Sequence, residues 1–136
     1  MKLTHVEVLP APPEKVYQAL LDPRVLRDCV EGCQGLEAVE PGIYDVHFRS
    51  GSGRLEIRDE NPPSGLTLVL EGKRLGASIR STARVRLHRK GEGTELVADG
   101  EAKLGGLAAL LPSSRVREAA REHLSGFFEK LAAKVR

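Results

Sequence analysis

Cys29 and Cys33 have the most specific chemical spacing in the chain. They stand four positions apart, so a helix running through both would bring their sulfurs to one face. Two thiols so placed suit a redox pair, a contact to a metal or cofactor, or simply two small apolar side chains of a core. A structural zinc wants four ligands, and no second Cys or His pair completes a set, since His5, His47, His88 and His123 are scattered singly. A disulfide would need the backbone after Val30 to bend, and a reducing compartment opposes it. No metal and no cofactor is therefore assigned. Nor does a serine sit in a nucleophile elbow, and no glycine-rich loop follows a strand and opens a helix, as a phosphate cradle must. His123 lies one position from an apolar helical stripe, either reaching solvent or anchoring a ligand. Ser81 falls among aliphatic residues, where its hydroxyl either bonds locally or orients a bound molecule.

The elements that position these residues follow from periodicity and punctuation. The segment MKLTHVEVLP alternates, with Thr4, Val6 and Val8 on one side and His5 and Glu7 on the other, the period of a half-buried strand. Pro10, Pro12 and Pro13 break it and suit the first turn of a helix. That helix, 14–21, buries Val16, Ala19 and Leu20, and Asp22-Pro23 ends it. A second short helix, 24–30, buries Val25, Leu26, Cys29 and Val30. Six strands are expected at 36–40, 43–50, 54–59, 66–71, 77–89 and 94–103, separated by glycine- and proline-rich turns. Such short connections require antiparallel neighbours. One face carries Leu66, Leu68, Leu70, Ile79, Ser81, Ala83, Val85, Leu87, Leu96, Ala98, Gly100, Ala102 and Leu104. The other carries Arg80, Arg84, Arg86, Glu95, Asp99, Glu101 and Lys103. One face is wet and the other covered.

The cover is a last helix, 114–135, capped by Ser113 or Ser114. Its stripe Val116, Ala120, Leu124, Phe127, Leu131 and Val135 advances by three and four. At 1.5 Å per residue it is about 33 Å long, enough to cross a sheet. The expected class is α+β: a seven-stranded curved antiparallel sheet wrapped around a long C-terminal helix, with two short helices after the first strand.

Composition bounds the partners. The 136 residues fit one domain, 1–136, and 21 basic against 19 acidic residues leave a net charge of +2. Aromatic residues make up only 4%, so nucleic acid finds neither a clustered basic face nor stacking platforms. Arg80, Arg84 and Arg86 read as a solvated outer face. No apolar run approaches the roughly 20 residues that span a bilayer. The start does not resemble a signal peptide, and with two cysteines the expected compartment is the cytoplasm. Abundant Arg and Glu with scarce Asn, Met and Trp point toward a thermophile.

Several segments in this order resemble one family. They are Pro10-Ala11-Pro12-Pro13-Glu14-Lys15-Val16, Asp22-Pro23-Arg24-Val25-Leu26 and Cys29-Val30-Glu31-Gly32-Cys33. Asn61-Pro62-Pro63, Glu71-Gly72-Lys73, Gly91-Glu92-Gly93-Thr94-Glu95-Leu96, Gly105-Gly106-Leu107-Ala108 and Phe127-Phe128 complete the set. Together they resemble the START-like helix-grip (SRPBCC) superfamily, and within it the G-subunit family of carbon monoxide dehydrogenase. The resemblance implies a cavity for a lipophilic, quinone-like or isoprenoid ligand, and a supporting role beside a molybdenum hydroxylase.

The residues add their own reason to expect a cavity. Ala77, Ala83, Ala98, Gly100 and Ala102 stand where a close-packed core would want larger side chains, and Ala119 and Ala120 on the facing helix do not fill the gap. The expected lining is Leu26, Val30, Phe48, Leu68, Ile79, Ser81, Val85, Leu96, Ala98, Leu110, Val116, Ala120, Leu124 and Phe127. The expected function is non-catalytic binding or carriage of a hydrophobic small molecule. A polyketide cyclase or dehydratase-like enzyme and an interaction module with a closed core are the alternatives. The segment 104–114, with Gly105-Gly106, an apolar run and Pro112, reads as a gate for the ligand or as a fixed corner, with transient membrane contact as one use of a gate.

Overall fold

Proline and aspartate set the first boundaries as the sequence suggests. The computed structural model describes residues 1–136. Strand β1 (Lys2–Leu9) stops before the prolines, and helix α1 (Pro13–Leu21) starts with Pro13 in its first turn. Asp22 closes α1 and caps α2 (Pro23–Cys29), its Oδ1 accepting the Arg24 N–H at 2.9 Å. The α2 helix ends at Cys29, and Gly32, at φ +74°, turns the chain so that Cys33 begins strand β2 (Cys33–Glu40). The two thiols therefore do not share a helical face. This agrees with a second helix that stops near Val30 and leaves Cys33 outside it.

The remaining strands are β3 (Ile43–Phe48), β4 (Gly51–Asn61), β5 (Gly65–Arg74), β6 (Ala77–Lys90) and β7 (Gly93–Gly106). They pair antiparallel in the order β1-β7-β6-β5-β4-β3-β2. Several strands outrun their turn signals. Gly51 and Gly53 lie inside β4, opposite Arg74 and Gly72, where a Cβ would run into the Lys73 and Glu71 carbonyl oxygens. Glycine there permits the close approach of a coiling strand rather than a turn. The β5–β6 turn is the pair Leu75-Gly76, both at positive φ (49° and 79°), the geometry of a two-residue hairpin.

A turn of 3-10 helix (Leu107–Leu110) leads into helix α3 (Ser113–Lys134). Pro112 occupies the N-cap position and no side chain caps the helix. Neither Ser113 nor Ser114 plays the capping role expected of them, because the helix already includes both. The far end is tied down by Lys134, whose Nζ reaches Asp28 of α2 at 2.6 Å.

Register builds two unlike faces. On the inner face Leu68, Ala83 and Gly100 stand abreast, as do Leu66, Val85, Ala98 and His5. On the outer face Asp45, Arg54, Glu71, Arg80 and Lys103 form a rung of mostly alternating charge across five strands, with Arg54–Asp45 at 3.5 Å and Arg80–Glu71 at 2.6 Å. Thr67 and Val69 are buried on this outer face. Arg58 and Arg84 stand on either side of Thr67, and their aliphatic stems can cover it. The inner core joins Leu9, Val16, Tyr17, Leu20, Val85, Leu96, Phe128, Leu131 and Val135; a smaller cluster joins Leu26, Val30, Tyr44, Val46 and Leu55. The architecture is the helix-grip fold, α+β, as the sequence indicates.

Candidate functional site

The inner face is closed at one end and open at the other. At the closed end Leu66, Leu68, Val85, Leu87, Leu96 and Ala98 are all buried, beneath α1 and the C-terminal half of α3 (Phe128, Leu131, Ala132). Toward the other end Leu70, Ser81, Ala102 and Leu104 are only half-buried, and Ile79 is 40% exposed. The residues of α3 on that side, Val116, Ala120, Leu124 and Phe127, are likewise half-buried. Interiors normally fill to crystal-like density. Inward-facing aliphatic groups that still reach solvent beneath a helix therefore mark an apolar groove. Glycines shape its floor. A Cβ at Gly72 would lie 3.7 Å from Ile79 Cγ2 and 3.8 Å from Phe48 Cε2, and one at Gly100 would lie 3.5 Å from Leu124 Cδ2, so the larger side chains rest on bare backbone.

Of the fourteen lining residues expected from sequence, Phe48, Ile79, Ser81, Val116, Ala120, Leu124 and Phe127 keep some solvent exposure, although Leu124 and Phe127 also pack against the main core and Phe48 and Phe127 against the smaller cluster. Leu68, Val85, Leu96 and Ala98 belong to the closed end, and Leu26 and Val30 to the smaller cluster. Leu110 is 80% exposed on the turn after β7. There it joins Leu107, Leu111 and the hairpin residue Leu75 as large apolar side chains in water. Hairpin and turn are joined, with the Leu107 N–H donating to the Gly76 carbonyl at 3.0 Å.

Polar groups enter the inner face from β1. Val6 and Val8, 54% and 60% exposed, point outward, so His5 and Glu7 point inward. The His5 Nε2 lies 3.0 Å from Glu7 Oε1, and its ring stacks on Phe128 with centroids 5.8 Å apart. Sequence reasoning separates the two sides of β1 and does not place this pair in the site. The available signal was Leu3 and Leu9, which share the parity of His5 and Glu7. Beside His5 a cleft of about 460 Å³ separates β1 from α3, lined by Lys2, Leu3, Thr4, His5, Arg117, Arg121, Leu124 and Ser125. A trough of about 500 Å³ on the outer sheet follows the charged rung. Cations and carboxylates answer one another along that rung.

The remaining candidates are quiet. His123 is exposed and lies 3.4 Å from Glu31. Burial pushes the Cys29 thiol up to about 11, with Lys134 opposing the shift and Asp28 adding to it. It is therefore protonated at neutral pH and a poor nucleophile. Cys33 donates its S–H to the Gly35 carbonyl at 3.3 Å, and both cysteines are free. No three His, Cys, Asp or Glu side chains gather as a metal site. The arrangement suits apolar binding, with the His5–Glu7 pair nearby as its polar feature.

Known proteins share this fold. A conserved protein from Geobacillus kaustophilus superposes with a TM-score of 0.91 at 23% identity, covering 99% of this chain and 95% of that one. A Chromobacterium violaceum protein gives 0.73 at 24% identity over 98% and 96%. Ara h 8.0201 gives 0.74 at 13% over 99% and 97%. These likenesses establish the shared fold. No curated protein matches the chain in sequence. The family model for CoxG, the G-subunit of carbon monoxide dehydrogenase, matches residues 6–136. The chain belongs to this CoxG family, within the START-like helix-grip superfamily.

Proposed function

We propose that residues 1–136 form one ligand-binding domain that binds and carries a hydrophobic small molecule, lipid- or quinone-like, without transforming it. The observation that carries this reading is the half-buried part of the inner face, where Leu70, Ile79 and Leu104 of the sheet and Val116 and Leu124 of α3 keep solvent exposure although their registers and helical stripe turn them inward. Burial of a ligand's apolar surface there is worth about 25 cal/mol per Å². The family supports a finer reading, in which the protein serves a molybdenum hydroxylase of the carbon monoxide dehydrogenase type as an accessory. No helix is long and apolar enough to cross a membrane. Leu75, Leu107, Leu110 and Leu111 at the open end instead suit transient contact with a membrane surface from which cargo is taken.

The His5–Glu7 pair favours a second reading, a cyclase- or dehydratase-like enzyme, because a carboxylate-held imidazole is a competent general base. An interaction module with a closed core fits less well, since half of α3 packs on no closed core. Native mass spectrometry of purified protein tests the leading reading. One apolar molecule should leave with each chain, chemically unchanged on incubation, and neutral Nile red should compete for the same place. Protein that carries no such molecule and takes up no Nile red would end this reading.

A further inference from the structure

The cleft between β1 and α3 differs in charge from the trough on the outer sheet. His5, Arg117 and Arg121 are the cationic or ionisable side chains that line it from the inner side, and no carboxylate does; Lys2 and Thr4 border it from β1 with the outward parity of Val6 and Val8. Arg117 and Arg121 stand one helical turn apart, so their guanidiniums project to one side of α3. Most arginines on the sheet are answered by carboxylates, Arg54 by Asp45, Arg58 by Glu56, Arg80 by Glu71 and Arg86 by Asp99, with Arg74 and Arg84 as exceptions. No ion pair holds Lys2, Arg117 or Arg121, although Glu118 and Glu122 lie on the same helix. Two acids reach this side of the sheet, and both are engaged: Glu7 by His5 and Glu60 by the Tyr17 hydroxyl.

The cleft offers an apolar surface as well as charge. Leu3 and Leu124 form its apolar wall, and Leu124 also rests on Gly100 in the floor of the groove. Cleft and groove therefore share a side chain, and a molecule lying in one reaches the other. We infer that the cleft seats the anionic head, a carboxylate or a phosphate, of an amphiphile whose apolar chain lies in the groove. Two guanidiniums on adjacent turns match the paired oxygens of either group, and charge-assisted hydrogen bonds of this kind are stronger than neutral ones. This inference rests on the carrier reading above and narrows its cargo from apolar molecules to acid-headed ones.

The test compares oleic acid with oleyl alcohol, two chains of equal length that differ in the head, by displacement of Nile red at low and high salt. The wild-type protein should bind the acid about 10-fold or more tighter than the alcohol, with the difference shrinking in salt. The double variant Arg117→Gln, Arg121→Gln changes two exposed helix positions to another good helix former. It should lose the preference while keeping its affinity for the alcohol, and Arg115→Gln should keep both. Equal affinity for acid and alcohol in the wild type would overturn the headgroup site and leave the carrier reading standing. So would a double variant that weakens both ligands alike. Failure of both ligands to displace Nile red would remove the carrier reading and this assignment together. Inorganic phosphate is the third arm. If it alone raises the melting temperature of the wild type and not of the double variant, while neither chain binds, the cleft holds a free anion and the amphiphile is refuted.

Discussion

Replacing Ala102 by phenylalanine puts a phenyl ring on the half-buried part of the inner face. Ala102 is half-buried and stands opposite Ser81, with Leu104 two residues further along the same face. Full burial of a phenylalanine side chain is worth about 1.5–3 kcal/mol, and partial burial there is offset by roughly 0.5–1 kcal/mol of lost rotamer freedom. Stability should therefore stay within about 1 kcal/mol of wild type. Nile red uptake should fall because the ring occupies the ligand's place. Ala98 supplies the contrast. It is 0% exposed, flanked by Val85 and His5, so Ala98→Phe overpacks a closed core and should destabilise by about 1–3 kcal/mol or more. Urea unfolding reads the stability and Nile red fluorescence the uptake. The groove is refuted if Ala102→Phe destabilises as much as Ala98→Phe, for then the open end is already packed. It is refuted equally if Ala102→Phe binds the probe as wild type does.

Other expectations are independent of that pair. Cys29→Ser with Cys33→Ser should leave ligand uptake almost unchanged in equilibrium titration, since neither sulfur stands at the groove; loss of uptake, or of a metal, with the thiols would refute this. The folded-state Cys29 pKa is raised from 9.0 to about 11, so the folded protein holds the proton longer than the unfolded chain does. The stability contributed by this group is full below 9.0 and is lost as pH rises toward 11. Thermal melts across that range should decline more steeply in wild type than in Cys29→Ser. Leu75 adopts φ +49° while 77% exposed, a conformation asparagine tolerates better. Leu75→Asn should raise stability by up to about 1 kcal/mol while weakening attachment to lipid vesicles in a flotation assay. A gate at 107–111 should exchange its amides early without ligand and gain protection with it; equal protection in both states would leave a fixed corner.

Much of the fold was legible because local signals agreed with one another. Leu66, Leu68 and Leu70 alternate with residues of the outer face, and register places them where alternation puts them. The disagreements have physical causes. In β1 the aliphatic Val6 and Val8 alternate with His5 and Glu7, yet pairing with β7 turns the polar side inward, where His5 faces Ala98 and stacks on Phe128. A two-residue period reports that two sides exist, not which one the neighbouring strand presents to the core. Gly51 and Gly53 read as punctuation, but they serve a strand that approaches its neighbour's carbonyls too closely for a side chain.

The long helix joins these observations to function. Its stripe runs unbroken from Val116 to Val135 in sequence, and nothing in that periodicity separates its two halves. In the structure the C-terminal half buries Phe128, Leu131 and Ala132, with Val135 just beyond, and is tied to α2 through Lys134 and Asp28. The N-terminal half keeps the same kind of apolar side half-exposed over Ser81, Gly100 and Ala102. Periodicity gives the direction of a face, whereas the distance to what it faces depends on the side chains opposite. At the closed end they include Leu66, Leu87 and Leu96, whereas at the open end Ser81 and Ala102 stand among Leu70, Ile79 and Leu104. The same small residues that leave the groove unfilled therefore divide α3 into an anchor and an overhang. The anchor carries most of the fully buried apolar contact of α3, and amide exchange over 107–111 tests whether the overhang and the turn before it adjust to a ligand.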